Sequence, residues 1–454
     1  GHINEASITG ESVPVSKKKD SGVYAGTILE NGTLQIVADR VGEDTTFGRI
    51  IELVEEAQDS KSEAERFIDR FSKYYTPAVL VLSIIVWLIS RDIELAITIL
   101  VLGCPGALVI GVPVSNVAGI GNGARHGVLL KGSEVINDFS RVSTIVFDKT
   151  GTLTIGNPKV ADKEFYGENI DEALGYLVAV ENESDHPLAK AVVDYIGNTK
   201  AYAVEKTDVV KGGGIVAHVD GHRVAVGNVA LMEQESVPLD EKAREDIAEF
   251  EKNGNSLVLT SVDGELKMLM GIRDQIRPGV KQDLQRLKKL GVKNLVVLSG
   301  DNQGTVDLVA QELGLTEAHG HMLPEDKSAH IKELQAKGQI VAFVGDGVND
   351  SPSLALSQIG IAMGSGTDVA IETSDVVLMN SDFSRLPHAL GLTKATARNM
   401  RQNIFIAVGV VLFLLASVFF SEWMNMSIGM LVHEASILVV ILNGMRLLRY
   451  MLRA

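Results

Sequence analysis

Hydrophobic positions along this chain fall into distinct patterns, and each predicts a different kind of element. Residues 95–118, 404–420 and 426–445 form long uncharged runs, the last interrupted only by His433 and Glu434. Residues 77–90 form a shorter run, which Phe67, Phe71, Tyr74 and Tyr75 can extend into an interfacial aromatic belt. A helix rises about 1.5 Å per residue and a bilayer core is about 30 Å thick, so these runs read as four membrane spans. They come as two pairs with short connections at 91–94 and 421–425. The large segments 1–73 and 119–403 must then share one side of the bilayer. Arg398, Arg401, Arg446, Arg449 and Arg453 flank the last pair and place that side, with both termini, in the cytoplasm.

Short β-branched runs make the second pattern. Residues 142–147 end at Asp148, 295–298 end before Ser299-Gly300-Asp301, and 340–344 end before Gly345-Asp346. Helical spacing at 280–290 and 305–313 separates them. Strands alternating with helices predict a parallel, doubly wound sheet whose functional loops follow the strand C-termini. Residues 155–273 interrupt this sheet with a different composition, including Gly212-Gly213-Gly214, and read as an inserted domain. Residues 1–50 are rich in Gly, Thr, Val and Ser, with alternation as at 33–38, and read as a small β-rich unit. Residues 51–73 carry helical spacing into the first span.

A chain of 454 residues predicts three or four structural units. Its 42 basic and 58 acidic residues give a net charge of −16, which argues against nucleic acid as a partner. The single cysteine, Cys104, excludes a disulfide framework and a Cys-only metal cluster. The chain opens at Gly1 with no signal peptide, so it is expected to be a fragment lacking an upstream part.

The strand ends carry the chemistry. Asp148-Lys149-Thr150-Gly151-Thr152-Leu153-Thr154 directly follows a buried strand, where a carboxylate can attack a phosphoryl group and form an acyl phosphate. Such chemistry also needs a hydroxyl or amide, a lysine and a magnesium carboxylate from other strand ends. Ser299-Gly300-Asp301, Lys327 and Gly345-Asp346-Gly347-Val348-Asn349-Asp350 supply them in order. Asp148 and Asp346 offer two hard oxygen ligands to Mg²⁺, and Lys327 would offset phosphate charge.

These motifs, with Thr9-Gly10-Glu11-Ser12, Cys104-Pro105-Gly106 and Ser184-Asp185-His186-Pro187, resemble the signatures of P-type ATPases, specifically the heavy-metal-transporting family. The resemblance covers essentially the whole chain. It implies a multi-pass plasma-membrane protein with α-helical transmembrane spans and a haloacid-dehalogenase-like α/β phosphorylation domain. It also implies an α+β nucleotide-binding insert and a β-rich actuator segment. The expected divisions are 1–50 for the C-terminal part of the actuator, 51–118 for a linker helix and the first transmembrane pair, 119–154 and 274–390 for the two parts of the phosphorylation domain, 155–273 for the nucleotide-binding domain, and 391–454 for the last pair.

By resemblance, Asp148 is the phosphorylated residue, and Lys149, Thr150, Asp274, Arg277, Gly300, Asp301, Lys327, Asn349 and Asp350 match positions around the phosphate. Glu181, His186, Gly212 and Gly214 match positions that hold adenine and ribose. His186 offers a flat ring for stacking, and a glycine lets backbone approach a ligand closely. A phosphatase of this fold usually has a second Asp two residues after the nucleophile. Here that position is Thr150, so the acyl phosphate should outlast a conformational change. Glu11 resembles the family's dephosphorylation glutamate and fits the activation of water.

Pro105 inside a span breaks a helix and frees carbonyls beside Cys104, whose thiolate suits a soft or borderline metal. Ionisable residues at membrane depth usually line a pathway, which brings in His433 and Glu434. Gly106 departs from the family's commoner Cys-Pro-Cys and removes a second thiolate. Cys104, His433 and Glu434 make a mixed S/N/O set suited to Zn²⁺, Cd²⁺ or Co²⁺. Met430, one turn earlier, keeps a Cu⁺ site open. The sequence thus predicts an ATP- and Mg²⁺-dependent exporter of a heavy-metal cation. A membrane-anchored phosphohydrolase and a non-transporting fragment are the competing readings.

Overall fold

The structure, a computed structural model, describes residues 2–4, 15–25, 27–41, 63–184, 187–210, 212–345, 350–364, 374–420 and 425–452. Four segments among them are long and apolar enough to cross a membrane: Glu65–Ser90, Ile93–Arg125, Arg385–Phe420 and Met426–Arg449. The first is longer than the run at 77–90 because its helix begins at Glu63 and includes the aromatic stretch. The second is two helices, Ile93–Leu102 and Gly106–Arg125. Gly103 caps the first and Pro105 precedes the second, since proline has no N–H to continue the ladder. Gly106–Arg125 runs past Ala118, so the expected division at 118 falls inside a helix.

Buried amides tie the last three membrane helices together. Asn403 Nδ2 donates to the Gly111 carbonyl (2.8 Å), to Ser115 Oγ (3.1 Å) and to the Val440 carbonyl (3.1 Å). Asn443 Nδ2 donates to Asn403 Oδ1 (2.9 Å), and Ser115 Oγ donates to Asn399 Oδ1 (2.7 Å). In an apolar surround each unmade bond would be costly, so this network fixes one packing of the helices. Hydropathy alone misses it, although Asn and Ser at span positions are the signal that could have found it.

Helix Arg385–Phe420 spans 36 residues, roughly 54 Å at about 1.5 Å per residue. Its first turns are cytoplasmic core: Leu386, Ala389 and Leu390 are fully buried in the cluster that holds Phe147. The same helix carries the third span, so the expected division at 390 also falls inside a rigid element.

The doubly wound sheet has seven strands in the order Glu317–His319, Asn294–Leu298, Thr144–Asp148, Val341–Gly345, Ile359–Met363, Val376–Leu378 and Val128–Leu130. All neighbours pair in parallel except the last two, which are antiparallel. Period-two alternation sends Ile145 and Phe147 to one face and Val146 to the other. Leu284 and Leu287 of helix Val280–Lys289 cover the first face, and Ile331 and Leu334 of Pro324–Ala336 cover the second. Burial on both faces explains why these strands read as unbroken apolar runs.

The insert is a six-stranded antiparallel sheet in the order Lys159–Phe165, Glu265–Arg273, Ser256–Val262, His222–Gly227, Gly214–Val219 and Val204–Val210. At the N-terminus, His2–Asn4, Val15–Ser16 and Ile28–Asn31 form a three-stranded sheet. The alternation at 33–38 lies outside these strands, and the segment as a whole is the small β-rich unit expected from the sequence. Ile36 and Val37 are adjacent and exposed at 66% and 94%, so among the described residues neither packs on a partner face.

Candidate functional site

Asp148 ends the central strand, where it is flanked by the parallel strands Asn294–Leu298 and Val341–Gly345. Lys327, from the helix on the second face, places Nζ 3.3 Å from Asp148 Oδ1 and 3.7 Å from Asp350 Oδ1. One ammonium thus sits between two carboxylates that would otherwise repel each other. The next residues turn sharply: Gly151 has φ +78°, a left-handed conformation that glycine adopts without steric cost. Arg277 holds that turn, donating to the carbonyls of Gly151 (2.7 Å) and Ser381 (3.1 Å).

Lys149 is buried and points to a different partner. Its Nζ lies 2.5 Å from Asp301 Oδ2, while Asp301 Oδ1 accepts a bond from Ser256 Oγ of the insert (2.8 Å). The loop that follows clasps the insert again, with Asn302 Nδ2 (3.0 Å) and Thr305 Oγ1 (2.8 Å) both donating to the Asn255 carbonyl. Asp301 therefore links the residue after Asp148 to the neighbouring domain. Ser256, Asn255 and Thr305 escaped sequence reasoning, because only folding brings them to the strand-end loops. Gly300 lies in this loop with its nearest neighbour, the Met322 carbonyl, 3.5 Å from where a Cβ would stand.

Asp274 fastens the hinge between sheet and insert. Its carboxylate accepts from Thr154 Oγ1 (2.6 Å), from the Gly156 N–H (3.0 Å) and from the Asn157 N–H (3.2 Å). The two connecting segments also pair through Thr154 and Ile276. Beside this hinge lies a cavity of about 400 Å³, lined by Gly156, Asn157, Glu181, Asn182, Ser184 and Lys190 among others. Glu181 is buried there, and desolvation pushes its carboxyl up to about 7.

The glycine run separates into different roles. Gly214 (φ +145°) packs on the neighbouring strand so closely that a Cβ would lie 2.1 Å from the Val226 carbonyl oxygen. Gly212 (φ +74°) faces open space, and its carbonyl accepts from Asn228 Nδ2 (2.7 Å). Ile215 and Val180 share one apolar core, so the glycine turn and the end of the Glu181 helix are built on the same face of the insert sheet.

In the membrane part, Cys104 is an exposed free cysteine at the break between the two helices. The buried His433 approaches it from helix Met426–Met445, its Nε2 donating to the Cys104 carbonyl at 3.1 Å. That carbonyl is among those the break releases from helical bonding. Gly106 leaves the room: a Cβ there would stand 3.4 Å from His433 Cε1 and 3.2 Å from Ile437 Cδ1. Glu434 is not gathered in. Successive helical residues point about 100° apart, and its side chain is 68% exposed, 3.9 Å from His433 Nδ1. Met430 is likewise exposed. Glu11, His186, Asp346 and Asn349 lie outside the described residues.

Comparisons with known proteins bear on this arrangement. Residues 142–357 match the model of haloacid dehalogenase-like hydrolases, and residues 1–55 match the P-type ATPase actuator domain. A crystal structure of a zinc-transporting PIB-type ATPase in the E2.Pi state superposes with a TM-score of 0.65 at 34% identity, covering 99% of this chain and 75% of that one. The chain belongs to the P-type ATPase family. A cadmium-transporting ATPase of Staphylococcus aureus is 37% identical over 98% of this chain and 64% of its own length. A copper-exporting P-type ATPase of Staphylococcus aureus (strain Newman) is 38% identical over 90% of this chain and 52% of its own length. The heavy-metal resemblance and the fold class read from the motifs are thereby borne out. As a P-type ATPase, this chain spans just under two thirds of the length of the cadmium-transporting relative.

Proposed function

We propose that this chain forms the catalytic and C-terminal membrane part of an ATP-driven exporter of a divalent heavy-metal cation, with Zn²⁺, Cd²⁺ and Co²⁺ as the favoured cargo. The supporting observation is that one chain holds two sites. One is a strand-end carboxylate facing a lysine; the other is a helix break where Cys104 and His433 meet. A phosphohydrolase that is merely anchored has no use for the second. The long helix Arg385–Phe420, rooted in the phosphorylation core and continuing as the third span, gives a rigid route between them.

In this reading ATP enters the cavity beside Glu181 at the hinge. Asp148 Oδ attacks the γ-phosphorus, a carboxyl–phosphate bond forms, and ADP leaves with the electron pair of the broken bond. Lys327 stabilises the charge on the transferred group. Lys149 is bound to Asp301, so it holds the nucleophile's loop against the insert. Mg²⁺ fits the hard oxygen donors: Asp148 and Asp346 would hold it, and it would neutralise phosphate charge. Glu11 then activates water for release of phosphate. The same geometry gives Asp274 and Arg277 positioning roles, since their polar atoms hold the hinge and the Gly151 turn. The resting place is the plasma membrane, with the catalytic domains cytoplasmic.

Cys104 with His433 brings one thiolate and one imidazole, a borderline set that favours divalent ions over Cu⁺. The decisive experiment measures phosphoenzyme formation from ATP in membrane vesicles across Zn²⁺, Cd²⁺, Co²⁺ and Cu⁺. Divalent ions should stimulate an acid-stable, hydroxylamine-sensitive label. ATP turnover that never labels the protein would end the pump reading, and stimulation by Cu⁺ alone would reassign the cargo.

A further inference from the structure

We infer that Glu317, His319 and His330 form a second transition-metal site, on the edge of the phosphorylation sheet and away from the membrane. Glu317 and His319 are two apart on the edge strand, which puts both side chains on one face. His330 comes from helix Pro324–Ala336, packed against that edge. One ligand atom from each residue lies within 4.8 Å of the other two.

The separations match what an ion needs. Glu317 Oε2 is 3.3 Å from His319 Nε2 and 3.7 Å from His330 Nε2. Two ligands bonded at about 2.0–2.1 Å and tetrahedrally arranged stand about 3.3 Å apart. The two imidazoles lie tilted at 51° to each other with centroids 4.5 Å apart. One carboxylate cannot satisfy both, and His330 Nε2 is buried without a hydrogen-bond partner among the described residues. Glu333 Oε2 stands 4.0 Å from His330 Nδ1, on the far side of the ring. A carboxylate there favours the proton on Nδ1 and leaves Nε2 as the ligand nitrogen. Burial, and then His319, hold the His330 imidazole below its ordinary range. Two nitrogens and one oxygen select borderline divalent ions over Mg²⁺ or Ca²⁺, and the exposed sides of Glu317 and His319 leave room for water to complete the shell.

The location has a consequence. Lys327 precedes His330 by three residues on the same helix, while the His321 N–H donates to the Asp301 carbonyl at 2.8 Å. An ion here would tie the helix that carries Lys327 to the edge strand whose following turn, at His321, is bonded to Asp301.

Co²⁺ is the probe that separates this site from the membrane one. In a Cys104→Ala background no thiolate remains, so a sulfur-to-cobalt charge-transfer band must be absent. That protein should still bind Co²⁺ with a visible ligand-field band, and adding His319→Gln with His330→Gln should remove one equivalent in equilibrium dialysis together with the band. An unchanged stoichiometry and spectrum would overturn the assignment. Should the double change unfold the protein, two other arms decide. Glu317→Gln should weaken Co²⁺ binding several-fold. In the unaltered chain, Co²⁺ should slow diethyl pyrocarbonate modification of the more exposed His319, mapped by peptide; full-rate modification under saturating Co²⁺ refutes the site.

Discussion

The imidazole of His433 meets the carbonyl of Cys104 at 3.1 Å, across the break that Pro105 makes in the second span. The approach depends on Gly106, where any Cβ would touch both His433 and Ile437. A Gly106→Cys change would therefore do two things at once: add a thiolate beside the imidazole and crowd Ile437, whose Cδ1 would lie 3.2 Å from the new Cβ. The expected outcome is a loss of Zn²⁺- or Cd²⁺-stimulated phosphoenzyme by at least about tenfold, equivalent to about 1.4 kcal/mol in site affinity. Cu⁺ stimulation should rise in the same assay, because two thiolates suit a softer ion. Gly106→Ala should show the loss without the gain. Equal Zn²⁺ stimulation in all three proteins would mean that the room left by Gly106 does not set the cargo.

Asp148 and Lys327 allow a sharper contrast. Asp148→Asn removes the nucleophile and should abolish labelling by ATP entirely. Lys327→Met leaves the nucleophile but places Asp148 and Asp350 near each other without the ammonium between them. Removing a group that stabilises charge in the transition state typically costs about 10²–10³ in rate, so labelling should fall by two orders of magnitude or more. Raising the pH should not restore it. A Lys327→Met protein that labels at the normal rate would remove this lysine from the chemistry.

The strand ends were legible because burial on both faces turns the central strands into Val/Ile/Phe runs, and each run stops at a polar loop. The edge pair Val376–Leu378 and Val128–Leu130 was not legible, since three residues are too few to show a period and their antiparallel pairing depends on distant chain. Residues 33–38 carry the alternation without forming a strand, because among the described residues Ile36 and Val37 stay exposed. Asp274 shows the limit for a site. Its place in the motif order was readable, whereas the three donors that occupy its carboxylate come from Thr154, Gly156 and Asn157 across a hinge more than a hundred residues away in the chain. His433 and Glu434 look equivalent as text. Helical geometry buries one and exposes the other, and hydropathy along an apolar run cannot choose between them.

Glu181 should make the stability of the insert depend on pH. Its carboxyl titrates near 7 in the folded protein and near 4.5 when exposed. Between those values the folded state holds the extra proton, so stability falls as pH rises and levels off above about 7. The full difference is about 3 kcal/mol. Glu181→Gln, which is neutral throughout, should raise the nucleotide-free melting temperature at pH 8, leave it nearly unchanged at pH 4.5, and flatten the slope between. Identical pH profiles for the two proteins would show that Glu181 is solvated rather than buried.

Gly212 and Gly214 should respond in opposite ways to a single methyl group. At Gly214 an alanine Cβ would lie 2.1 Å from the Val226 carbonyl oxygen and 2.7 Å from Gly227 Cα, both backbone atoms that cannot turn aside. The strand pair Gly214–Val219 and His222–Gly227 must open to accept it, a cost above about 3 kcal/mol that should appear as a large drop in thermal stability even without nucleotide. At Gly212 the same Cβ meets nothing within 4 Å, and the only charge is a left-handed φ of +74°, about 1–2 kcal/mol. Gly212→Ala should therefore fold, and any weakening of ATP binding, measured by the nucleotide concentration needed for half-maximal labelling, reports on close approach by the ligand itself. If Gly212→Ala binds ATP as the unaltered protein does, this glycine shapes the turn and leaves the nucleotide to Glu181 and its neighbours.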